Sequence, residues 1–248
     1  MVERGSQFDV TNQINMTDAG EVLDAVELIY AEQYPGPAPE TIKQAFDDVT
    51  SMYQGKHPNY HGCDTAYHDL QHVLDVTLAM ARLMDGYERR NHKTNPLGAA
   101  LFQLGIVAAL FHDCGYIRNK RDVRHRYGAE YTLHHVSRGA RFLERYLPAI
   151  GLAEFVPAAV SIVHFTGYEI PVEKITVPAP IFRQLGNLLG SADIISQMAD
   201  RCFLEKCRDR LYPEFVLGGI ARRQGPDGGE EVIFASAADL VNTSSAEE

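Results

Sequence analysis

Apolar residues recur at three- and four-residue spacing along most of this chain, and the alternation of exposed strands is nearly absent. Thr17 is placed to cap a first helix that runs to about residue 34, where Pro-Gly-Pro-Ala-Pro stops it. A second helix is predicted over 39–53, a loop over 57–64, and a long helix over 66–90. Asn95 and Pro96 read as the cap and first turn of a helix ending near Gly115. Further helices are predicted over 128–146 and 154–165, and two more stretches run from Pro180 to about 211. Only residues 232–234 have short β character. The pattern predicts an all-α, single-domain helical bundle over 17–222. Residues 1–16 read as a flexible start, and 223–248 as a partly disordered extension.

The most apolar run, 97–111, is broken only by Gln103 and leads straight into His112 and Asp113. It falls short of the roughly 20 residues that a membrane-spanning helix needs, so it reads as a buried core helix. No signal-peptide pattern opens the chain, and four cysteines without a CxxC pair suggest no disulfide framework. These features are those of a reduced, cytoplasmic protein with no membrane partner. The 248 residues carry a net charge of −10. That charge disfavours duplex nucleic acid, whose binding depends on neutralising phosphates. A small anion held by a metal or a local basic cluster remains compatible with it.

Polar residues that interrupt apolar helices change the picture. His112 and Asp113 end AALFQLGIVAALF, Asp193 sits in LLGSADIIS, and His164 sits in AVSIVHFTG. A carboxylate in such surroundings is costly unless paired, hydrogen-bonded or metal-bound. His68, His72 and Asp75, spaced four and three apart, fall on one stripe of the long helix. Each has an ordinary explanation as well: an exposed helix face, a histidine at a helix C-terminus, an aspartate paired with arginine. In combination they offer imidazole and carboxylate ligands from several facing helices, a common way to build a metal site.

The order His72, His112-Asp113, Asp193 resembles the H…HD…D signature of the HD superfamily of metal-dependent phosphohydrolases. AYHDLQHVLDV, residues 66–76, resembles the YHNxxHAxDV motif of cyclic-nucleotide phosphodiesterase catalytic domains, and SADIIS their later Ala-Asp motif. The likeness covers residues 67–200. Asp69 stands where those enzymes have Asn, and Val73 where they have Ala. CGYIRN follows His-Asp where they carry a further His and Pro-Gly. The metal core therefore carries more of the resemblance than cyclic-nucleotide specificity.

The resemblance implies a phosphodiesterase-like helical fold that holds one or two divalent ions (Fe, Mn, Zn, Ni or Mg). His72, His112, Asp113 and Asp193 would be ligands, with Asp113 bridging to any second metal. It makes His68 the acid that protonates the leaving oxygen. Asp75 would orient the other ring nitrogen of His72. Glu130, His134, His135 and His164 are candidates for a second metal or the substrate. The substrate would be a phosphodiester or monoester of nucleotide-like type. Two other readings of the same ligands are a di-iron oxygenase and a non-catalytic HD-fold interaction module. Between Arg118 and Arg126, the cations Arg118, Lys120, Arg121 and Arg124 could attract such a phosphate, or could form a solvated loop. An oligomer is compatible with all of this.

Overall fold

The computed structural model of the chain describes residues 6–224 and 229–244. The apolar run becomes α4 (Gly98–Phe111), in which every residue from Phe102 to Phe111 except Gln103 is buried. A helix with no polar face has to be enclosed on all sides. Enclosing it are α2 (Glu40–Tyr53), α3 (Leu70–Asn91), α5 (His135–Ala149), α6 (Val156–Ile162) and α7 (Pro180–Ala199). The 19-residue segment Gly98–Tyr116, of mean hydropathy 1.3, is long and apolar enough to cross a membrane. Here 72% of it is buried inside the protein, as befits a core helix. Outside this ring, α1 (Ala19–Gln33) packs on α3 and α2. The architecture is all-α around one hydrophobic core.

Side-chain caps move several helix starts from their expected places. α1 begins one residue later than a Thr17 cap allows, because the Asp18 carboxylate accepts from the amides of Gly20 and Glu21. α3 begins at Leu70, not near 66. Asp69 is its N-cap and accepts from His72 N at 3.0 Å. His68 therefore precedes the helix and does not share its stripe with His72 and Asp75. α4 starts past Asn95 and Pro96, where Leu97 N donates to the Glu88 carboxylate of α3 at 2.8 Å.

The helix expected over 128–146 is broken. A 3-10 turn, Gly128–Tyr131, is followed by a separate α5 that starts at His135. Glu130 folds back to accept from the amides of Arg126 and Tyr127, which closes the turn locally. Beyond α7 come the short α8 (Phe203–Lys206), a π-helical turn Cys207–Leu211, and α9 (Tyr212–Leu217).

Both ends carry described structure beside the helical body. Met16 is buried, Phe8 pairs with Asn15, and Asp9 forms an ion pair with Arg82 of α3, so residues 7–16 are fastened to the body. At the other end, β1 (Arg222–Gln224) pairs antiparallel with β2 (Glu230–Val232), two residues before the predicted β segment. α10 (Ala237–Ser244) follows and packs on the π-helical turn. Residues 1–5, 225–228 and 245–248 of the expected flexible ends lie outside the described residues.

One glycine controls the approach of α5 to the end of α4. A Cβ at Gly115 would overlap the backbone carbonyl of His135, so the two segments meet closer than any other residue permits. Gly115→Ala is expected to cost about 1–3 kcal/mol, the usual range for overpacking a filled core. Chemical denaturation of the purified variant measures it, and an unchanged midpoint would show that the contact is relaxed in solution.

Candidate metal centre

α4 delivers its last residues into a closed space between α3, α5 and α7. His112 and Asp113 are 0% and 2% exposed, and His72 of α3 and Asp193 of α7 are 8% and 9% exposed. His112 Nδ1 lies 2.7 Å from the Ala109 carbonyl, to which it donates, so that Nε2 faces the acid beside it. His112 Nε2 and Asp113 Oδ2 are 3.3 Å apart, as are His72 Nε2 and Asp113 Oδ2. His72 Nε2 is 3.4 Å from Asp193 Oδ1, and His135 Nε2 is 3.5 Å from Asp113 Oδ1.

These separations are longer than good N–H···O hydrogen bonds, which cluster near 2.9–3.0 Å. His112 Nε2 and Asp113 Oδ2 are buried with no hydrogen-bond partner. Ligand atoms about 3.0–3.4 Å apart are instead the edges of a coordination shell with bonds of about 2.1 Å. One ligand atom each from His72, His112 and Asp113 lies within 4.8 Å of the others, a set that could hold a metal ion. The orphaned atoms and the donor chemistry fit a divalent ion.

Charge in the cluster is self-consistent. Burial opposes ionisation of Asp113, but His112, His72 and His68 around it hold its carboxyl well below the ordinary range. Burial opposes charge on His112 too, and Asp113 nonetheless pushes it up to about 9.

Asp193 is steadied along α7. Gln197, one turn on, donates from Nε2 to Asp193 Oδ1 at 2.8 Å, and Tyr67 Oη donates to Gln197 Oε1 at 2.7 Å. Three aromatic rings line the other side. His68 stacks on Tyr116 with centroids 4.5 Å apart, and Tyr116 stacks on His135 at 4.3 Å, each pair 17° from parallel.

His68 has a partner that motif reading passed over. Its Nδ1 lies 2.7 Å from Oε2 of Glu214, an α9 residue only 3% exposed. Glu214 Oε1 also accepts from the amides of Tyr67 and His68, so this carboxylate holds both the ring and the backbone before α3. Burial lowers the affinity of His68 for a proton. The Glu214 hydrogen bond and the charges of Asp113, Glu214 and Asp193 outweigh it, and the net shift is upward. Glu214 sits among Tyr212, Phe215, Val216 and Leu217, the same kind of polar interruption that marks Asp193.

Other expected site residues lie elsewhere. Glu130 is spent on its own turn, and His134 is exposed at the start of α5. His164 has a buried, unpartnered Nδ1, burial lowers its pKa, and no contact joins it to the cluster among the described residues. Asp75 makes no hydrogen bond to His72; it lines a groove between residues 6–16, α3 and α7 and shares a smaller pocket with His72 and Gln197. In the basic run, Arg118 pairs with Asp64 and Lys120 donates to the His57 carbonyl. Those two cations brace the loop, while Arg121 and Arg124 are exposed and unpaired among the described residues.

No family model, curated protein or solved structure matches the chain.

The His68–Glu214 pair has a signature in pH. A histidine whose folded pKa is raised stabilises the fold below its unfolded value of about 6.5, and loses that contribution as pH rises through the folded value. Glu214→Gln should therefore lower the His68 pKa in chelator-treated protein, read by NMR titration of the imidazole carbon-bound proton. Its stability cost should be larger at pH 6 than at pH 9. A cost independent of pH would mean that His68 is neutral throughout.

Proposed function

We propose that the protein is a metal-dependent phosphohydrolase of HD type, cleaving a phosphodiester or monoester in a small nucleotide-like substrate. The observation that carries this reading is the division of labour around Asp113. His72, His112, Asp113 and Asp193 converge, with His112 Nε2 and Asp113 Oδ2 left without partners, while His68 is drawn to a carboxylate of its own. A divalent ion held by the first group would lower the pKa of its water toward 7 and so provide a nucleophile at neutral pH. His135 could complete a second position through Asp113.

His68 is suited to the acid's part. Its Nδ1 is committed to Glu214, which leaves Nε2 to hold or give a proton. Glu214 stabilises the charged form and fixes the ring, much as a carboxylate orients a catalytic imidazole elsewhere. Stacking on Tyr116 removes the remaining freedom of ring rotation. Gln197 and Tyr67 hold Asp193 toward His72. Exposed Arg121 and Arg124 suit the approach of an anionic substrate to a chain that is acidic overall.

The experiment separates ligand from acid. Replacing His72 or Asp193 by Ala should remove bound metal and activity together, by metal analysis and a phosphodiester assay. His68→Ala should keep its metal and still lose roughly 10²–10⁴-fold in turnover, the usual size of a general-acid contribution. The loss should shrink for a p-nitrophenyl ester, whose leaving group needs little protonation. Iron at two per chain without phosphatase activity would replace this reading with an oxygenase. A His68 variant stripped of metal would make His68 a ligand instead.

A further inference from the structure

The cations of this acidic chain are segregated. Residues 118–145 hold eight arginines and lysines against three acids, a net +5 that leaves −15 on the rest of the chain. α5 carries much of that excess on one face. Its buried residues Val136, Ala140, Leu143 and Leu147 fall on one side of the helical path, and His134, Arg138, Arg141 and Arg145 fall on the opposite side. That basic stripe is about 16 Å long at the usual rise per residue. Arg138 folds over the Tyr131 ring and donates to the carbonyls of Gly115 and Ile117, so the stripe adjoins the start of the basic loop 118–126.

Four guanidinium groups on this surface lack an acid. Arg141 and Arg145 are exposed, and each donates only to a carbonyl one turn back, those of Ser137 and Arg141. Arg121 and Arg124 of the loop are exposed as well, and none of the four makes an ion pair among the described residues, although Glu144 precedes Arg145. Apolar side chains stand among them. Val123 of the loop is 95% exposed, and Leu133, just before α5, is 60% exposed. Tyr168 is fully exposed. Its neighbour Glu169 accepts from the Ser137 amide at 3.1 Å, which fixes that segment against α5 one turn before Arg141.

We propose that this surface binds a single-stranded oligonucleotide, with its phosphates along α5 and the loop and a base stacked on Tyr168. Positive groups that track a backbone, interleaved with aromatic side chains that stack on bases, are the chemistry by which proteins hold single strands. Guanidinium suits phosphate because its donors meet the phosphate oxygens two at a time. The acidity of the remaining chain does not prevent this, since charges farther than about 8 Å are largely screened at physiological salt. Stacking on Tyr168 needs an unpaired base, which neither a duplex nor an acidic peptide offers. Binding uses no metal, so it goes beyond the phosphohydrolase reading and holds or fails independently of it.

The test is fluorescence anisotropy of a labelled thymidylate dodecamer titrated with the full, chelator-treated chain. Affinity should fall as salt rises, with a logarithmic slope of about −0.7 for each phosphate neutralised. Arg141→Glu combined with Arg145→Glu should weaken binding about tenfold or more and flatten that slope. Arg90→Glu combined with Lys93→Glu makes the same charge change at exposed positions around the end of α3, and should leave both unchanged. Tyr168→Ala should cost roughly fivefold or more, the size of one lost base stack, without altering the slope. Unlabelled duplex and poly-glutamate should compete poorly. Should the α5 variant fail to fold by circular dichroism, Arg121→Ala combined with Arg124→Ala takes its place, with the same direction expected. No binding at low salt would overturn the proposal. So would competition by duplex or poly-glutamate equal to that of the single strand, or full affinity in the folded arginine variant or in Tyr168→Ala.

Discussion

Everything in this fold is arranged around one buried carboxylate, that of Asp113. It sits at the end of a helix with no polar side, in a place where an isolated charge would cost several kcal/mol even after relaxation. The chain does not answer with a lysine or arginine. It gathers His72, His112 and His135 at 3.3–3.5 Å, too long for good hydrogen bonds and with lone pairs left over. A purely structural ion pair would have closed those gaps. Those gaps, with two atoms buried and unmet, make a set that could hold a metal ion.

The constraint reaches outward through the helix ends. Gly115 lets α5 come close enough to bring His135 to Asp113. Asp69 starts α3 where His72 points inward, and that leaves Tyr67 and His68 outside the helix with unsatisfied amides. Glu214 takes up those amides, and with the same carboxylate it takes the His68 ring. The Glu214 carboxylate thus holds backbone and imidazole together, which ties α9 to the start of α3 across 146 residues.

The buried cluster of His72, His112, Asp113 and Asp193 was legible in the sequence because polar residues interrupt apolar helices, and burial punishes that pattern unless something compensates. The helical class was legible for the same reason. Helix boundaries were less so, since Asp18, Asp69 and Glu130 redirect the chain through side-chain bonds that spacing does not reveal. That is why Glu130 and His134, four apart, do not share a helix face. Glu214 was illegible for another reason. It lies in a six-residue helix after a π-helical turn, too short to show a period, and its partner is remote in sequence. The Asp9–Arg82 pair, which joins residues 7–16 to α3, is a contact no local pattern contains.

Three acids near α3, with Asp113 and Glu214 buried and Asp75 half-buried, meet three different fates. Asp113 is ionised because imidazoles surround it, and Glu214 is anchored by two amides and a histidine. Asp75, three residues from His72, has neither kind of support, and burial raises its pKa. Position along a helix therefore does not decide the state of a carboxyl; the donors facing it do. Asp113 follows the end of α4 and Asp75 lies on α3, so the two carboxyls meet different neighbours. The protein keeps the two apart by pointing one into the helix bundle and the other into the groove beneath its own N-terminal segment.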